Sequence, residues 1–335
     1  MGMADSNKGK QRGWGYLLQI ALSLAIVVVL VVPLNPGRFA GVFSDLRWGP
    51  LWGAAGLLVV SLGVRAWRWR LLFEDGAHRI SFPDAMWLLL AGAALNLVLP
   101  ASSGDVVKGY FGYRWSGVKE RMLSISVVDK VIALGSVGLL GALAALAQGQ
   151  WVYGLLSACV LVPSVMFLAL PRLMEGRVLW ERLLRGVTRL VRGKVDFVSL
   201  MGHVELGGKR LVPAIVLSVV GWLITYVQLY LCFRAAGAWP ALGYVYMVAP
   251  LITLVRLFPL TLGGVGSDEA AIYFFFRPLG LSFETVLAAA LLYRGVALLL
   301  PGVIGLAPLA FKRHIGGASS HAAEAFGADE LREER

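Results

Sequence analysis

Long apolar runs separated by short polar links dominate this chain. Runs of roughly 20 residues, the length a helix needs to cross the hydrocarbon core, lie near residues 15–34, 49–66, 122–147, 151–170, 211–236 and 284–310. Each predicts a membrane-spanning helix. Two further apolar stretches, near 84–100 and 241–258, are left ambiguous by length alone. The first run follows Lys8, Lys10 and Arg12, as a secretory leader would. It is longer than a leader core of about 7–15 residues and no small-x-small cleavage site follows, so a retained first span is expected.

Basic residues set the expected topology. The link 171–210 carries Arg172, Arg177, Arg182, Arg185, Arg189, Arg192, Lys194, Lys209 and Arg210 against Glu175, Glu181, Asp196 and Glu205. The positive-inside bias makes it cytoplasmic. The N-terminus, the Arg65-Ala-Trp-Arg-Trp-Arg70 stretch and Lys312-Arg313 follow it inside, while the uncharged links Gln148-Gly-Gln150 and Gly237-Ala-Trp239 face outside. Counting crossings from the 171–210 link puts both flanks of 84–121 on the cytoplasmic side and both flanks of 240–283 outside. Each stretch must enter and leave by one face, as a re-entrant hairpin does.

The two halves then read helix, helix, hairpin, helix, with opposite orientation. The fold expected is an all-α integral membrane protein, with six full transmembrane helices plus two re-entrant helical hairpins in an inverted-topology repeat. Its parts are a cytoplasmic N-terminus (1–14), a first repeat (15–147, hairpin near 84–121), a second repeat (148–312, with a cytoplasmic amphipathic loop 171–210 and a hairpin near 240–283) and a disordered cytoplasmic tail (313–335). The hairpins also match in sequence. The first reads Leu97-Val-Leu-Pro100-Ala-Ser-Ser-Gly104-Asp105, the second Leu257-Phe-Pro259-Leu-Thr-Leu-Gly263-Gly264-Val-Gly266-Ser-Asp268-Glu269. Asn96 and Arg256 stand just before the two prolines. Gly and Pro breaks at corresponding places in two halves point to a transporter's central site. Non-helical backbone at membrane depth is tolerated only where protein or a water-filled cavity satisfies its polar groups.

Composition agrees with a lipid solvent. Hydrophobic residues make up 58% and charged residues 15%, against about 25% charged in soluble domains. The net charge of +11 would suit nucleic acid, but the cations lie between apolar runs rather than on one solvated face, so no nucleic acid is expected. Cys159 and Cys232 lie inside apolar runs, and His78, His203, His314 and His321 are scattered. Neither set suggests a disulfide framework or a metal site. With no nucleotide-binding motif either, no cofactor is expected.

Ionisable groups inside the membrane are expensive and are functional candidates by default. Substrate contact is expected from Asn96, Ser102, Ser103, Gly104, Asp105, Lys108, Arg256, Gly263, Gly264, Gly266, Asp268, Glu269 and Arg294, and an ion-pair or coupling role from Asp129 and Lys130. Lys108, Arg256 and Arg294 would bind a phosphate-bearing headgroup, helped by backbone N–H groups of the glycine turns. The acids would pair with those cations or titrate as access changes. Two plainer readings stay open: Asp105, Asp268 and Glu269 as helix N-caps, and Lys108 and Lys130 as side chains snorkelling to the interface. Arg65, Arg68 and Arg70, alternating with Trp67 and Trp69, read as an interfacial anchor. Gly135, Gly138 and Gly141 read as close-packing positions between helices.

At these motifs the chain resembles the lysylphosphatidylglycerol synthase transmembrane-region family, the flippase-like domain family that includes the membrane half of the multiple peptide resistance factor. The likeness covers nearly all of 15–312. It rests on Asn96-Leu-Val-Leu-Pro100, Gly104-Asp105, Lys108, Asp129-Lys130, Pro259, Gly263-Gly264-Val-Gly266, Glu269 and Arg294. The resemblance implies movement of lipids or lipid-linked intermediates between leaflets. The aminoacyl-transferase activity of two-domain members is not implied, because no stretch here is long enough to be that domain. Ser102 and Ser103 stand where members often carry Arg before Gly-Asp/Glu, and Ser267-Asp268-Glu269 replaces Gly-x-Arg-Glu. The second hairpin is thus more acidic, which suits a cationic or neutral headgroup, or proton coupling.

The function expected is transport of a phospholipid or polyprenyl-type lipid-linked intermediate by alternating access, in the cell (inner) membrane, with both termini cytoplasmic. Membrane lipids, anionic headgroups among them, are the expected partners, and self-association into a homo-oligomer stays open. A secondary transporter of a small soluble anion or other solute is the alternative. A membrane-embedded lipid-modifying enzyme has no supporting motif, and the chain is not read as an enzyme.

Overall fold

A computed structural model of the chain describes residues 20–73, 80–98, 119–173, 208–256, 261 and 264–312. These residues are helical apart from short turns, with no strand among them. The helices are α1 (Ile20–Val31) and α2 (Pro36–Ser44), α3 (Trp48–Phe73), α4 (Phe82–Val98), α5 (Lys119–Ala147), α6 (Trp151–Leu173), α7 (Gly208–Ala235), α8 (Leu242–Val255), α9 (Ser267–Phe276), α10 (Phe283–Arg294) and α11 (Leu300–Lys312). Among the described residues, five helical stretches are long and apolar enough to cross a bilayer, or six if the bent pair α1–α2 is one span. The fifth, Phe283–Ala307, joins α10 to α11 through a π-helical segment, Gly295–Leu299. Pro301 explains that segment. It lacks the N–H that would bond Ala297, so the ladder is already broken here and Leu300 N–H reaches back five residues to Gly295 O.

The first span breaks where the sequence places Pro33, Asn35 and Pro36. α1 and α2 meet there at 84°. The Asn35 side chain accepts from Arg38 N–H at 3.1 Å, and Pro36 opens the first turn of α2. The Asn35 N–H points 3.4 Å from Glu284 Oε1 at the start of α10, which ties the elbow to the last span. The sequence reading did not foresee α2.

Helix pairing is antiparallel and close. Gly53 faces Leu231 and Gly221 faces Val64, so α3 and α7 run side by side in opposite directions, and Gln228 Nε2 donates to Ala54 O at 3.1 Å between them. The glycines expected to allow close packing do so. A Cβ on Gly138 would lie 2.8 Å from Leu161 N, and one on Gly135 would lie 3.1 Å from Ser164 Cβ, both on α6; one on Gly141 would strike Ser157 of α6. α4 lies antiparallel on α11, with Gly302 against Leu97 and Gly305 against the Leu90 carbonyl. α8 packs on α5. One buried core joins α7, α8, α9 and α10, where Phe233 stacks on Phe276 at 4.2 Å. A second gathers Trp69 and Phe73 of α3, Leu88 of α4 and Ile125 and Ile132 of α5. Leu24, Val28, Val29, Leu155, Val162 and Val165 face outward, which costs nothing in a hydrocarbon solvent.

Candidate functional site

The second glycine turn builds the site. Gly264 and Gly266 both have positive φ, 71° and 84°, a backbone that L side chains rarely adopt. Gly266 then serves as N-cap of α9. Its N–H donates to Glu269 Oε2 at 2.8 Å, the reciprocal half of a capping box. Glu269 therefore caps, as the plainer reading held, but its other oxygen is also used: Oε1 lies 2.7 Å from Arg294 Nε. Asp268 makes no cap. Its Oδ2 is 3.0 Å from Arg256 Nε and 3.5 Å from Arg294 Nη2. Arg294 Nη2 also donates to the Gly264 carbonyl at 2.5 Å. The Arg256 guanidinium lies over the Tyr293 ring, 5.1 Å from its centroid. Thr261 and Ser267 share a 2.8 Å hydroxyl contact beside the turn.

Among the described residues, four charges thus meet, two positive and two negative. Glu269 is buried, Asp268 and Arg294 nearly so, and Arg256 keeps 30% of its side chain exposed. Their depth follows from helix length. Arg294 lies 294 − 283 = 11 residues from the start of its 25-residue span and 307 − 294 = 13 from its end. At 1.5 Å per residue it sits about 17 Å in. Arg256 closes the 14-residue α8, about 21 Å from that helix's start. Against a hydrocarbon core about 30 Å thick, Arg294 lies near the middle of its span and Arg256 about two-thirds of the way across. The π-helical segment begins one residue after Arg294, and such segments recur at functional sites.

Asn96 is half-buried in the last turns of α4, on a helix that runs beside α11 toward the π-helical segment. Ser102, Ser103, Gly104, Asp105, Lys108 and Gly263 lie outside the described residues, as do the tail and most of the 171–210 loop. Asp129 pairs with Arg68 rather than with the Arg294 cluster: its Oδ1 lies 2.8 Å from Arg68 Nη2. Lys130 is exposed.

Arg68 corrects the sequence reading. It is a buried side chain that joins Asp129 of α5 to Ser218 of α7, with Nη1 donating to Ser218 Oγ at 2.8 Å. Trp69 beside it is buried as well, whereas Trp67 is exposed and carries Arg70 over its ring at 5.5 Å, as an anchor would. The signal was present: Leu71, Leu72 and Phe73 continue the apolar pattern beyond Arg70, so the helix does not end at Arg65.

Residues 16–305 match the lysylphosphatidylglycerol synthase TM region family. Three curated relatives are each described as a UPF0104 membrane protein of Methanothermobacter thermautotrophicus. The first is 24% identical over 320 residues, covering 85% of this chain and 90% of its own length. The second is 24% identical over 269 residues, covering 75% and 80%. The third is 23% identical over 321 residues, covering 87% and 94%. The chain is a multi-span integral membrane protein, and it belongs to the lysylphosphatidylglycerol synthase TM region family.

Proposed function

We propose that this chain is a flippase-like transporter that moves a phospholipid or a polyprenyl-type lipid-linked intermediate between leaflets, without covalent chemistry. The carrying observation is the Arg256–Asp268–Glu269–Arg294 cluster at mid-depth on a glycine-broken helix. Burying four charges in hydrocarbon is costly, and capping one helix does not require them. A site that exchanges ion-pair partners with a passing headgroup does. Arg256, the most exposed of the four, is the first contact, and Arg294 holds the turn while pairs exchange.

Six spans and two re-entrant hairpins related by an inverted repeat form the framework of this proposal. Its support is reciprocal packing. α3 and α7, the second helix of each half, lie antiparallel on one another. The first hairpin's entering helix, α4, packs on the second half's last helix, and the second hairpin's entering helix, α8, packs on the first half's last helix. At 14 residues, α8 is about 21 Å long, short of a full crossing. Both termini are assigned to the cytoplasm on charge.

The test is transfer of a headgroup-labelled phospholipid in proteoliposomes, with folding checked by size-exclusion chromatography. Arg256→Ala and Asp268→Asn should each slow transfer by about tenfold, the loss of one charged hydrogen bond. Wild-type rates from both folded variants would refute the site.

A further inference from the structure

The membrane face where α3, α6 and α8 begin and α7 ends carries Trp48, Trp52, Trp151 and Trp239, all exposed. Tryptophan collects at the level of lipid headgroups, so these rings mark the boundary on that side. Two cations share one of them. Arg234, in the last turn of α7, has its guanidinium carbon 3.2 Å from the Trp239 ring centroid, and Arg47, just before α3, has its own at 5.0 Å. The Arg47 N–H donates to Ala235 O at 3.0 Å, which holds the two segments together. Arg234 Nη1 donates to the Tyr230 hydroxyl at 2.5 Å, and its buried Nε has no hydrogen-bond partner. Neither arginine joins an ion pair among the described residues.

The partial negative charge at the end of α7 accounts for one cation there. It does not account for a second on the same ring, with neither in an ion pair among the described residues. A guanidinium resting on indole can turn its N–H edge away from the ring, and such an edge fits phosphate oxygens two at a time. Exposed Arg47 offers that edge, while Arg234, with Nη1 on Tyr230 and Nε buried, adds Nη2. We propose that Arg47, Arg234 and Trp239 form a headgroup site for the phosphate of an anionic lipid in the leaflet at that face. This site is separate from the mid-membrane cluster and does not depend on transport.

The test uses the full chain in nanodiscs containing phosphatidylglycerol that bears a photoreactive group beside its headgroup, with labelling of residues 234–242 measured by peptide mapping. Wild-type protein should label there. Arg47→Gln, on an exposed side chain, should lower labelling by about fivefold, and Arg47→Gln with Arg234→Gln by about twentyfold. Undiminished labelling in folded Arg47→Gln protein would overturn the site. So would equal labelling by the matching phosphatidylcholine probe. Removal of the label by inorganic phosphate alone would show a soluble anion as the ligand and overturn the assignment to lipid.

Discussion

The two oxygens of Glu269 have separate tasks, and a single substitution tells them apart. Glu269→Gln keeps an oxygen for the Gly266 N–H but removes the negative charge facing Arg294. Leaving one partner of a buried pair uncompensated should cost about 3 kcal/mol, read as a lower thermal midpoint in detergent. If capping were the whole role, the midpoint would not move. Arg68 offers the matching experiment at the other polar cluster. Arg68→Met strands Asp129 and should destabilise by a similar amount, while Arg68→Met with Asp129→Leu should recover much of the loss. Gly266 is constrained from two sides. Its φ of 84° disfavours any side chain, and a Cβ there would lie 2.9 Å from Ile26 Cγ2 of α1, so the glycine turn and the first span are in direct contact.

Glycine spacing governs how the helices meet. Gly138→Leu should force α5 and α6 apart, since its Cβ position is already occupied by α6 backbone. Overpacking of this kind costs about 1–3 kcal/mol, visible as faster proteolysis of the α5–α6 link. The spans were legible in the sequence because unbroken apolar length is a strong signal. The glycine rows on α5 were legible because small residues recurred at three-residue spacing. The elbow after α1 and the π-helical segment after Arg294 were not anticipated. Both follow from prolines inside apolar runs, where hydropathy reports burial and is blind to lost N–H groups. Arg68 was misassigned for a related reason: a cation near the end of an apolar run resembles an interface residue until its partners, on α5 and α7, are brought to it by packing.

At the level of the whole molecule, orientation is the expectation most open to direct measurement. In a background of Cys159→Ser and Cys232→Ala, Gln148→Cys should react with an impermeant maleimide added to intact cells. Gly202→Cys should react only after permeabilisation. The reverse pattern would invert the assigned topology. Family membership and the Arg256–Arg294 half of the candidate site could be read from short motifs, because glycine, proline and charge are rare inside lipid and conspicuous when they coincide. Which charge pairs with which could not be read, since that depends on α8, α9 and α10 converging at one depth. The pairing has an electrical corollary. Among the described residues the two cations and two anions sum to zero, so a zwitterionic cargo that trades contacts with them moves no current. Its transfer should proceed at the same speed whether or not a potassium diffusion potential is imposed with valinomycin, whereas an anionic cargo would feel about 2.3 kcal/mol per 100 mV.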